Sequence, residues 1–371
     1  MVGSRLWDVI VAGAGPAGSR IAELLGRRGV SVLLLDPRAP WEKPCGGGLT
    51  AGALAHTPEL LDLAAEGAWV REVLMVTREG ERRAVPLRTP YLVVSRLALS
   101  QWGLARAQAA GVEFIPAAAR SAERDGRGRV WRVVDSEGGN HRGRYLVGAD
   151  GAASRLRGIL APSLKPELTA TRVSYPVDPG PASARAVFAL HSNPLGYLWD
   201  FARPGHHSVG VWAACDDCDR ERLDGALATF EHAERGEGSD ERRGAVIASS
   251  VWRQGRFDDL GGQDYALLGD AAGLADPATG EGLDAAFRSA TIAAQVFSER
   301  DGFGRYPAVA RRAFRGEIVR ARLARWMLYR TSLSRRLMRG AQRSARAERL
   351  LARLADAVNE HRSLLAALAG R

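Results

Sequence analysis

Near its start the chain reads Trp7-Asp8-Val9-Ile10-Val11-Ala12-Gly13-Ala14-Gly15-Pro16-Ala17-Gly18. The apolar residues before the first glycine predict a buried parallel strand. A helix is predicted over residues 19–28 and a second buried strand over residues 30–35, and this second strand ends at Asp36. Strand, glycine-rich turn, helix, strand and acidic residue follow one another in the order of a Rossmann dinucleotide-binding unit.

The three glycines of this stretch fit the pattern G-x-G-x-x-G, and each has its own physical role. Gly13 permits the tight turn after the strand, Gly15 lets the backbone approach a pyrophosphate, and Gly18 lets the helix pack on the strand. The helix N-terminus attracts the anionic pyrophosphate, and Asp36 can accept a hydrogen bond from a ribose hydroxyl. We therefore predict that the chain begins with a dinucleotide-binding site.

The composition limits which classes of protein this chain can belong to. The 371 residues are 46% hydrophobic and 25% charged, which is typical of a globular protein with two or three structural units. No window reaches the roughly 18 uninterrupted apolar residues of a membrane-spanning helix, and no basic leader marks a signal peptide. Three cysteines in a chain of this length argue against a disulfide framework, so we expect a cytoplasmic protein.

The net charge of +10 is concentrated in the last part of the chain. Residues 305–371 hold 17 arginines against four acidic residues, and their apolar residues recur at helical intervals. We interpret this segment as helices that cap the preceding domain with a solvated basic face. The alternative is a peripheral contact with an anionic membrane, at the inner membrane face. We expect no nucleic-acid partner, because no recognition motif accompanies the charge.

Secondary-structure signals along the chain predict an α/β fold of several segments. The predicted segments are a dinucleotide-binding domain at residues 1–159 with small β insertions at 68–92 and 119–144, a β-rich substrate domain at residues 160–256, a return to the first domain at residues 257–300, and a basic helical segment at residues 301–371. The substrate domain is placed where the alternation of helix and strand lapses and strand-like segments dominate.

Three further segments carry side chains that suit the same ligand. One strand is predicted to end at Asp150 and another at Asp270, and Arg96 begins a helix. Asp270 can accept a hydrogen bond from a ribose or polyol hydroxyl, and Arg96 can reach a phosphate. The backbone N–H groups of residues 280–283 start a helix and can face an anionic ring edge. Each segment taken singly is equally compatible with a purely structural role.

Together these segments resemble the flavoprotein group that is built like p-hydroxybenzoate hydroxylase. The resemblance covers residues 7–297 and implies a Rossmann-type FAD-binding domain with an inserted, mainly β substrate domain and a C-terminal helical segment. It implies FAD at the glycine motif, while the electron donor stays open between NADPH and a ferredoxin-type protein. The implied cofactor-binding residues are Gly13, Gly15, Gly18, Asp36, Arg38, Gly46, Gly47, Gly48, Arg96, Asp150, Gly269, Asp270, Pro277, Gly280, Gly282 and Leu283.

Two further stretches are more specific. The first, Lys43-Pro44-Cys45-Gly46-Gly47-Gly48, looks like the Cys-Gly-Gly-Gly loop of the geranylgeranyl reductase family. The second, Pro194-Leu195-Gly196-Tyr197-Leu198-Trp199-Asp200-Phe201, matches the signature P-x-x-Y-x-W-x-F of that family. The family has proline immediately after the phenylalanine. In this chain Ala202 and Arg203 come before Pro204, so the end of the signature is altered.

This resemblance implies reduction of an isolated carbon–carbon double bond in an apolar or lipid substrate, such as a geranylgeranyl group, a polyprenyl lipid or a prenylated quinone. Reduced flavin would deliver hydride to one carbon, and an acid would protonate the other. Tyr197, Trp199 and Phe201 share one strand face and can line an apolar substrate pocket, although such a face is also typical of a core.

The candidate catalytic residues are Cys45, Tyr197 and Trp199. The acid that protonates the second carbon stays open between Cys45, Tyr197 and an ordered water. Cys45 also suits a structural role as a small buried hydrophobe.

Other functions share the fold. A flavin-dependent monooxygenase leaves little local signature and stays open, whereas a halogenase would need a dedicated lysine and a W-x-W-x-I-P loop that this chain lacks. A flavin-binding protein without turnover is a further alternative. Cys215 and Cys218 form a C-x-x-C pair, but the adjacent aspartates disfavour a reactive thiol. We expect no metal site, because the histidines show no metal-ligand spacing.

Overall fold

The structure is a computed structural model that describes residues 5–76, 80–126, 128, 130–178, 185–192, 195–213, 219–236, 241–249, 257–297 and 302–330. Within these residues the chain forms two β-sheets with helices packed on both. The C-x-x-C pair of Cys215 and Cys218 lies outside the described residues, as do Pro194 and the segment 331–371.

The chain combines parallel strands, antiparallel strands and helices, so the predicted α/β class is confirmed. The strands are β1 (Leu6–Ala12), β2 (Val32–Leu35), β3 (Gly48–Leu49), β4 (Ala68–Val76), β5 (Arg82–Val93), β6 (Glu113–Ile115), β7 (Ala119–Arg124), β8 (Trp131–Asp135), β9 (Asn140–Gly148), β10 (Glu167–Ser174), β11 (Arg185–Ser192), β12 (Leu195–Arg203), β13 (His206–Ala213), β14 (Arg243–Ser249) and β15 (Tyr265–Leu267). The α-helices are α1 (Pro16–Gly26), α2 (Ala51–His56), α3 (Arg96–Ala109), α4 (Arg155–Leu160), α5 (Arg220–Arg235), α6 (Leu283–Val296) and α7 (Tyr306–Arg330).

The first sheet has the strand order β6-β2-β1-β9-β8-β7, and β15 also pairs with β9. The strands β6, β2, β1, β9 and β15 run parallel, as a Rossmann unit requires. Both faces of β1 are buried: Val9 and Val11 pack on the side of α1 and α6, and Ile10 packs on the other side with Trp131 and Leu156. The apolar run of β1 is continuous because a parallel sheet is covered on both faces.

The second sheet has the strand order β14-β10-β13-β12-β11-β4-β5-β3. It includes the hairpin β4–β5, which we expected as a small insertion of the first domain at 68–92. Strand β4 pairs in parallel with β11, so that Glu72 lies beside Arg185. Val73 of the hairpin therefore shares a core cluster with Trp199 and Phe201 of β12. A parallel neighbour distant in sequence leaves no local signal, which is why the sequence pattern did not indicate this pairing.

Two helices contact the second sheet. Helix α5 packs its Leu223 and Leu227 on one face, next to Val211 of β13. Helix α7 is joined to α6 by the ion pair of Arg288 with Glu317, and its Arg325 pairs with Glu167 of β10 in the second sheet. No helix in the described part of the chain is long and apolar enough to cross a membrane.

Candidate active site

A cavity of about 1040 Å³ is lined by residues of both sheets and brings together nearly all the predicted site residues. Those that line it are Gly13, Gly15, Asp36, Arg38, Cys45, Gly46, Gly47, Gly48, Arg96, Asp150, Tyr197, Trp199, Phe201, Gly269, Asp270, Gly280, Gly282 and Leu283. Gly18 and Pro277 do not line it. This volume is at the upper limit of the roughly 300–1,000 Å³ that is usual for ligand pockets.

The three glycines of the first turn differ in their surroundings. Gly13 has φ +99°, and a Cβ there would lie 2.2 Å from the carbonyl oxygen of Ala149. A Cβ on Gly18 would lie 1.7 Å from the carbonyl oxygen of Gly13. Neither Gly13 nor Gly18 therefore leaves room for a side chain. A Cβ on Gly15 would meet nothing within 4 Å. Gly15 is the N-cap of α1, so the helix N-terminus opens on free space that suits a pyrophosphate.

Asp36 stands at the end of β2 and ties the glycine turn to the following loop. Its Oδ2 accepts a hydrogen bond from the N–H of Ala14 at 2.8 Å. Its Oδ1 accepts hydrogen bonds from the N–H groups of Arg38 and Ala39 at 2.8 Å and 3.0 Å. The Arg38 guanidinium lies over the ring of Trp41, 3.9 Å from its centroid. The carboxylate predicted to meet a ribose is therefore fixed at the cavity wall.

Arg96 is a buried cation without a counter-charge. It is the first residue of α3, where the Ser95 side chain caps the helix by accepting a hydrogen bond from the N–H of Ala98 at 3.0 Å. Arg96 is only 7% exposed, and its Nε has no hydrogen-bond partner. Among the described residues its guanidinium forms no ion pair. Since burying an unpaired charge is costly, the arrangement fits an anionic group that is supplied by a ligand.

Asp150 and Asp270 are joined by Arg157, which the sequence analysis did not single out. Asp150 accepts hydrogen bonds from backbone N–H groups at the start of α4 at 2.8 Å and 3.2 Å. The Arg157 guanidinium donates to the carbonyl oxygens of Ala152 at 2.6 Å and Asp270 at 3.3 Å. Burial lowers the pKa of Arg157, and the Asp150 and Asp270 carboxylates partly oppose this. Arg157 thus holds two strand ends together at the cavity.

Asp270 also pairs with one of the two lysines of the chain. The Nζ of Lys43 lies 3.2 Å from its Oδ2. A Cβ on Gly282 would lie 3.0 Å from its Oδ1, so the carboxylate is close to the N-terminus of α6 as well. Lys43 was not among the predicted site residues, because an ion pair between residues 227 positions apart leaves no local pattern.

The loop before α6 contacts the second sheet. Tyr197 donates its hydroxyl proton to the carbonyl oxygen of Thr279 at 2.6 Å. A Cβ on Gly280 would lie 2.8 Å from the indole nitrogen of Trp212. Within this loop, burial and the nearby Asp284 carboxylate raise the pKa of Glu281, which also lines the cavity. The predicted helix start is therefore held against the aromatic residues of the substrate domain.

The Cys45 turn lies near the other end of the same aromatic strand, beside Phe201 and Arg203. Gly46 packs on Phe201, since a Cβ at this glycine would lie 2.7 Å from the phenyl ring. Gly47 donates its N–H to the Cys45 sulfur at 3.4 Å, and the Ser208 hydroxyl donates to the Cys45 carbonyl oxygen at 3.2 Å. Cys45 is half-buried and lines the cavity, in keeping with a position beside a ligand.

The rest of the cavity is an apolar compartment on the second sheet. Tyr197, Trp199 and Phe201 line one face of β12, as their spacing predicted, and Trp199 and Phe201 are buried. The other members of this aromatic and aliphatic wall are Val73, Met75, Leu87, Tyr91, Phe188, Leu190, Trp212 and Ile247. The Tyr91 hydroxyl is buried without a hydrogen-bond partner, and burial raises its pKa. The compartment suits a long apolar ligand.

The residues present fit a dinucleotide such as FAD. Gly15 leaves space at a helix N-terminus, Arg96 offers an unpaired buried cation, and Asp36 places a carboxylate at the glycine turn. In the described parts of the chain, no group of three or more His, Cys, Asp or Glu side chains is arranged to hold a metal ion.

Comparison with known proteins identifies relatives over most of the chain. A family model described as lycopene cyclase protein matches residues 8–170. A digeranylgeranylglycerophospholipid reductase of Methanopyrus kandleri is 31% identical over 309 residues, covering 79% of this chain and 80% of the relative. A menaquinone reductase of Mycobacterium tuberculosis is 30% identical over 343 residues, covering 85% of this chain and 83% of the relative.

A solved structure gives the same fold. The crystal structure of a geranylgeranyl bacteriochlorophyll reductase-like protein from Thermoplasma acidophilum covers 96% of this chain and 98% of its own, with a TM-score of 0.74 and 21% identity. The resemblance predicted from the Cys-Gly-Gly-Gly loop and the aromatic signature is confirmed by the sequence relatives. The chain belongs to the geranylgeranyl reductase family of FAD-dependent oxidoreductases.

Proposed function

We propose that this enzyme reduces isolated carbon–carbon double bonds in the prenyl chain of a lipid or quinone. The observation that carries the proposal is one cavity that joins the dinucleotide-binding residues to an apolar compartment, with the Cys45 turn between them. Relatives named as reductases of a digeranylgeranyl phospholipid and of menaquinone support the prenyl chain as the part that the substrates share.

Gly15 and the N-terminus of α1 would hold the FAD pyrophosphate, Arg96 would contact a phosphate, and Asp36 would accept from the adenosine ribose. Bound and reduced FAD supplies the hydride. The apolar wall of β12 would exclude water and hold the prenyl chain in place. Gly280, Gly282 and Leu283 would lie at the ring edge, because their loop forms the N-terminal end of α6.

We assign the proton donor to Cys45 rather than Tyr197. The Tyr197 hydroxyl already donates to the Thr279 carbonyl oxygen, so its proton is held away from the substrate. The Cys45 sulfur accepts an N–H from Gly47, which orients the side chain within the turn and leaves the thiol proton to the cavity. Trp199 would form part of the apolar wall and not donate a proton, because its ring N–H already donates to Ser208 at 3.3 Å.

The test is anaerobic. The purified yellow protein is reduced with dithionite, mixed with geranylgeranyl diphosphate or a menaquinone, and followed by flavin absorbance and by mass spectrometry of the lipid. Reoxidation with a gain of two hydrogen atoms per double bond is the expected result. A flavin that stays reduced until oxygen is admitted, and that then yields hydroxylated product, would support the monooxygenase alternative instead. Reduced free FAD with the same lipids is the control.

The electron donor is a separate proposal: NADPH or a ferredoxin-type protein. In the described residues, strand, glycine turn and helix form a Rossmann unit at the start of the chain, and that unit is assigned to FAD. Stopped-flow reduction of the bound flavin by NADPH, compared with NADH and with a reduced ferredoxin, decides between these donors.

We also propose that residues 305–371 contact an anionic membrane from the cytoplasmic side. Val319, Leu323 and Trp326 lie on one face of α7 and are 43%, 41% and 55% exposed. The other face, with Phe314 and Ile318, is buried and lines the cavity. Flotation with phosphatidylglycerol vesicles, compared with phosphatidylcholine vesicles, tests the contact, and Trp326→Ser should weaken it. Equal flotation with both lipids would contradict it.

A further inference from the structure

Arg203, at the end of β12, is a fully buried cation that holds the Cys45 turn. Its Nη2 donates to the carbonyl oxygens of Cys45 and Gly46, both at 2.9 Å. Its Nη1 pairs with Glu42 at 2.8 Å. One guanidinium therefore binds three acceptors on the loop that carries Cys45.

Glu42 connects this contact to the predicted cofactor side of the cavity. Its Oε1 accepts the N–H of Arg96 at 3.1 Å, and its Oε2 accepts the N–H of Leu97 at 2.7 Å, so the same carboxylate caps α3. Burial alone would raise the pKa of Glu42, but the Arg203 charge and these N–H groups lower it overall. Glu42 is thus ionised and fixed between Arg203 and the helix that presents Arg96.

The turn and the arginine fit each other closely. Gly47 has φ +77°, and a Cβ there would lie 2.6 Å from the Arg203 guanidinium and 2.1 Å from the carbonyl oxygen of Val94. Only glycine leaves the guanidinium room to reach the two carbonyls. In this chain Ala202 stands where the family signature has its proline, and Arg203 is the next residue.

We propose that Arg203 is a positioning residue that fixes the Cys45 thiol at the cavity by holding the carbonyls of the Cys45 turn. The inference rests on the proposed function in one respect, which is that Cys45 acts in the reaction. Without the guanidinium, two carbonyls and a carboxylate lose their partner inside the protein, and the turn opens locally because such unsatisfied groups are costly.

The first test measures the turn without any turnover. Cys45 is alkylated with iodoacetamide in the folded protein, and its peptide is followed by mass spectrometry, which separates it from Cys215 and Cys218. Arg203→Met should raise the alkylation rate about tenfold. This increase corresponds to a free energy of local opening that is lower by about 1.4 kcal/mol, so the open turn exposes the thiol more often. Arg203→Lys keeps the charge with fewer donors in the right geometry and should give a smaller increase.

The matched control is Arg20→Met. Arg20 is also buried and paired, on α1 with Glu23 and Glu59, but does not touch the Cys45 turn. Its substitution should change global stability without changing the Cys45 rate. If Arg203→Met does not fold, the folded variants Arg203→Lys and Glu42→Gln decide. Cys45 alkylation at the wild-type rate in both of them would overturn the proposal.

The second test asks whether Arg203 acts through Cys45. Arg203→Lys should lower kcat in the wild-type background and have no further effect in the Cys45→Ser background, because the positioned thiol is already gone. Additive losses in both backgrounds would contradict a role through Cys45. If no prenyl substrate is reduced by the wild-type enzyme while the alkylation difference persists, the proposed function fails and the positioning of Cys45 stands.

Discussion

The Tyr197 hydroxyl donates a 2.6 Å hydrogen bond to the carbonyl oxygen of Thr279 and so joins the aromatic strand of one sheet to the loop that starts α6. The tyrosine of the family signature is therefore a tie between the apolar compartment and the loop before α6. Its role as an acid and its role as a tie have different consequences when the hydroxyl is removed.

Tyr197→Phe should cost about 1 kcal/mol of stability and weaken FAD binding, because Thr279 loses its partner and the loop loosens. The single-turnover rate of flavin reoxidation by a prenyl substrate should stay within a few-fold of wild type. A general acid would instead account for a loss of roughly 10²–10⁴. Tyr306→Phe is the control, since that hydroxyl donates to the Leu267 carbonyl oxygen at 3.0 Å away from the cavity. A loss in the general-acid range for Tyr197→Phe alone would return the proton donor to Tyr197.

Arg96→Met should leave the apoprotein as stable as wild type or more stable, because it removes an unpaired buried charge. It should weaken FAD binding about tenfold to a hundredfold, the value of a charge-assisted hydrogen bond of roughly 1.5–3 kcal/mol. Titration of apoprotein with FAD, followed by flavin fluorescence, measures this. Arg106→Met, on the same helix but paired with Glu23 and Asp62, should show the reverse pattern: lower stability and unchanged affinity.

Gly15→Ala and Gly18→Ala should separate ligand binding from packing. The new methyl group at position 15 meets nothing within 4 Å, so this variant should fold normally and bind FAD more weakly. At position 18 the methyl group would overlap the Gly13 carbonyl oxygen, so this variant should unfold at a markedly lower temperature. Thermal melts of the apoproteins and FAD titrations give both readouts. Equal FAD affinity for Gly15→Ala and wild type would exclude the pyrophosphate at this turn.

Deprotonation of Glu281 should lower the free energy of unfolding as pH rises. Its folded pKa is raised above the ordinary value of 4.5 by burial and by the Asp284 and Asp276 carboxylates. The folded state therefore keeps a proton that the unfolded state releases, and the advantage is lost as pH rises through the folded pKa. Urea unfolding of apoprotein between about pH 5 and about pH 9 should show this decline in wild type and not in Glu281→Gln.

The control for that experiment is Glu59→Gln. Burial acts to raise the pKa of Glu59, but the Arg20 guanidinium lowers it overall, so its contribution to stability is present above the unfolded pKa and lost at acid pH. In a second urea series at acid pH the substitution should reduce the loss of stability, and in the first series it should leave the alkaline decline intact. An alkaline decline that persists unchanged in Glu281→Gln would show that another group is responsible.

The sequence predicted the parts of the site that depend on local pattern. The glycine turn, Asp36 and Arg96 are each recognised within a few residues, because a strand end or a helix start fixes where the side chain goes. Tyr197, Trp199 and Phe201 follow from the period of a strand. These residues meet at one cavity as expected.

The remaining contacts join residues far apart in the chain. Lys43 pairs with Asp270, and Arg203 binds the Cys45 turn across 158 positions. Nothing in the neighbourhood of either cation marks its partner. The same holds for the pairing of β4 with β11, which no alternation of apolar residues within either strand can specify.

That parallel pairing of β4 with β11 also determines how the polypeptide can be divided. Residues 160–256 contain β10–β14 but not β4, the parallel neighbour of β11. A fragment with these ends would therefore expose unpaired backbone N–H and C=O groups along Ala186 and Phe188. Such an edge invites aggregation. During synthesis the hairpin β4–β5 must wait for about a hundred further residues before its sheet is complete, which is a non-local step of the kind that slows folding. The second sheet is thus built from two separate stretches of the chain, and residues 160–256 alone lack three of its strands, β3, β4 and β5.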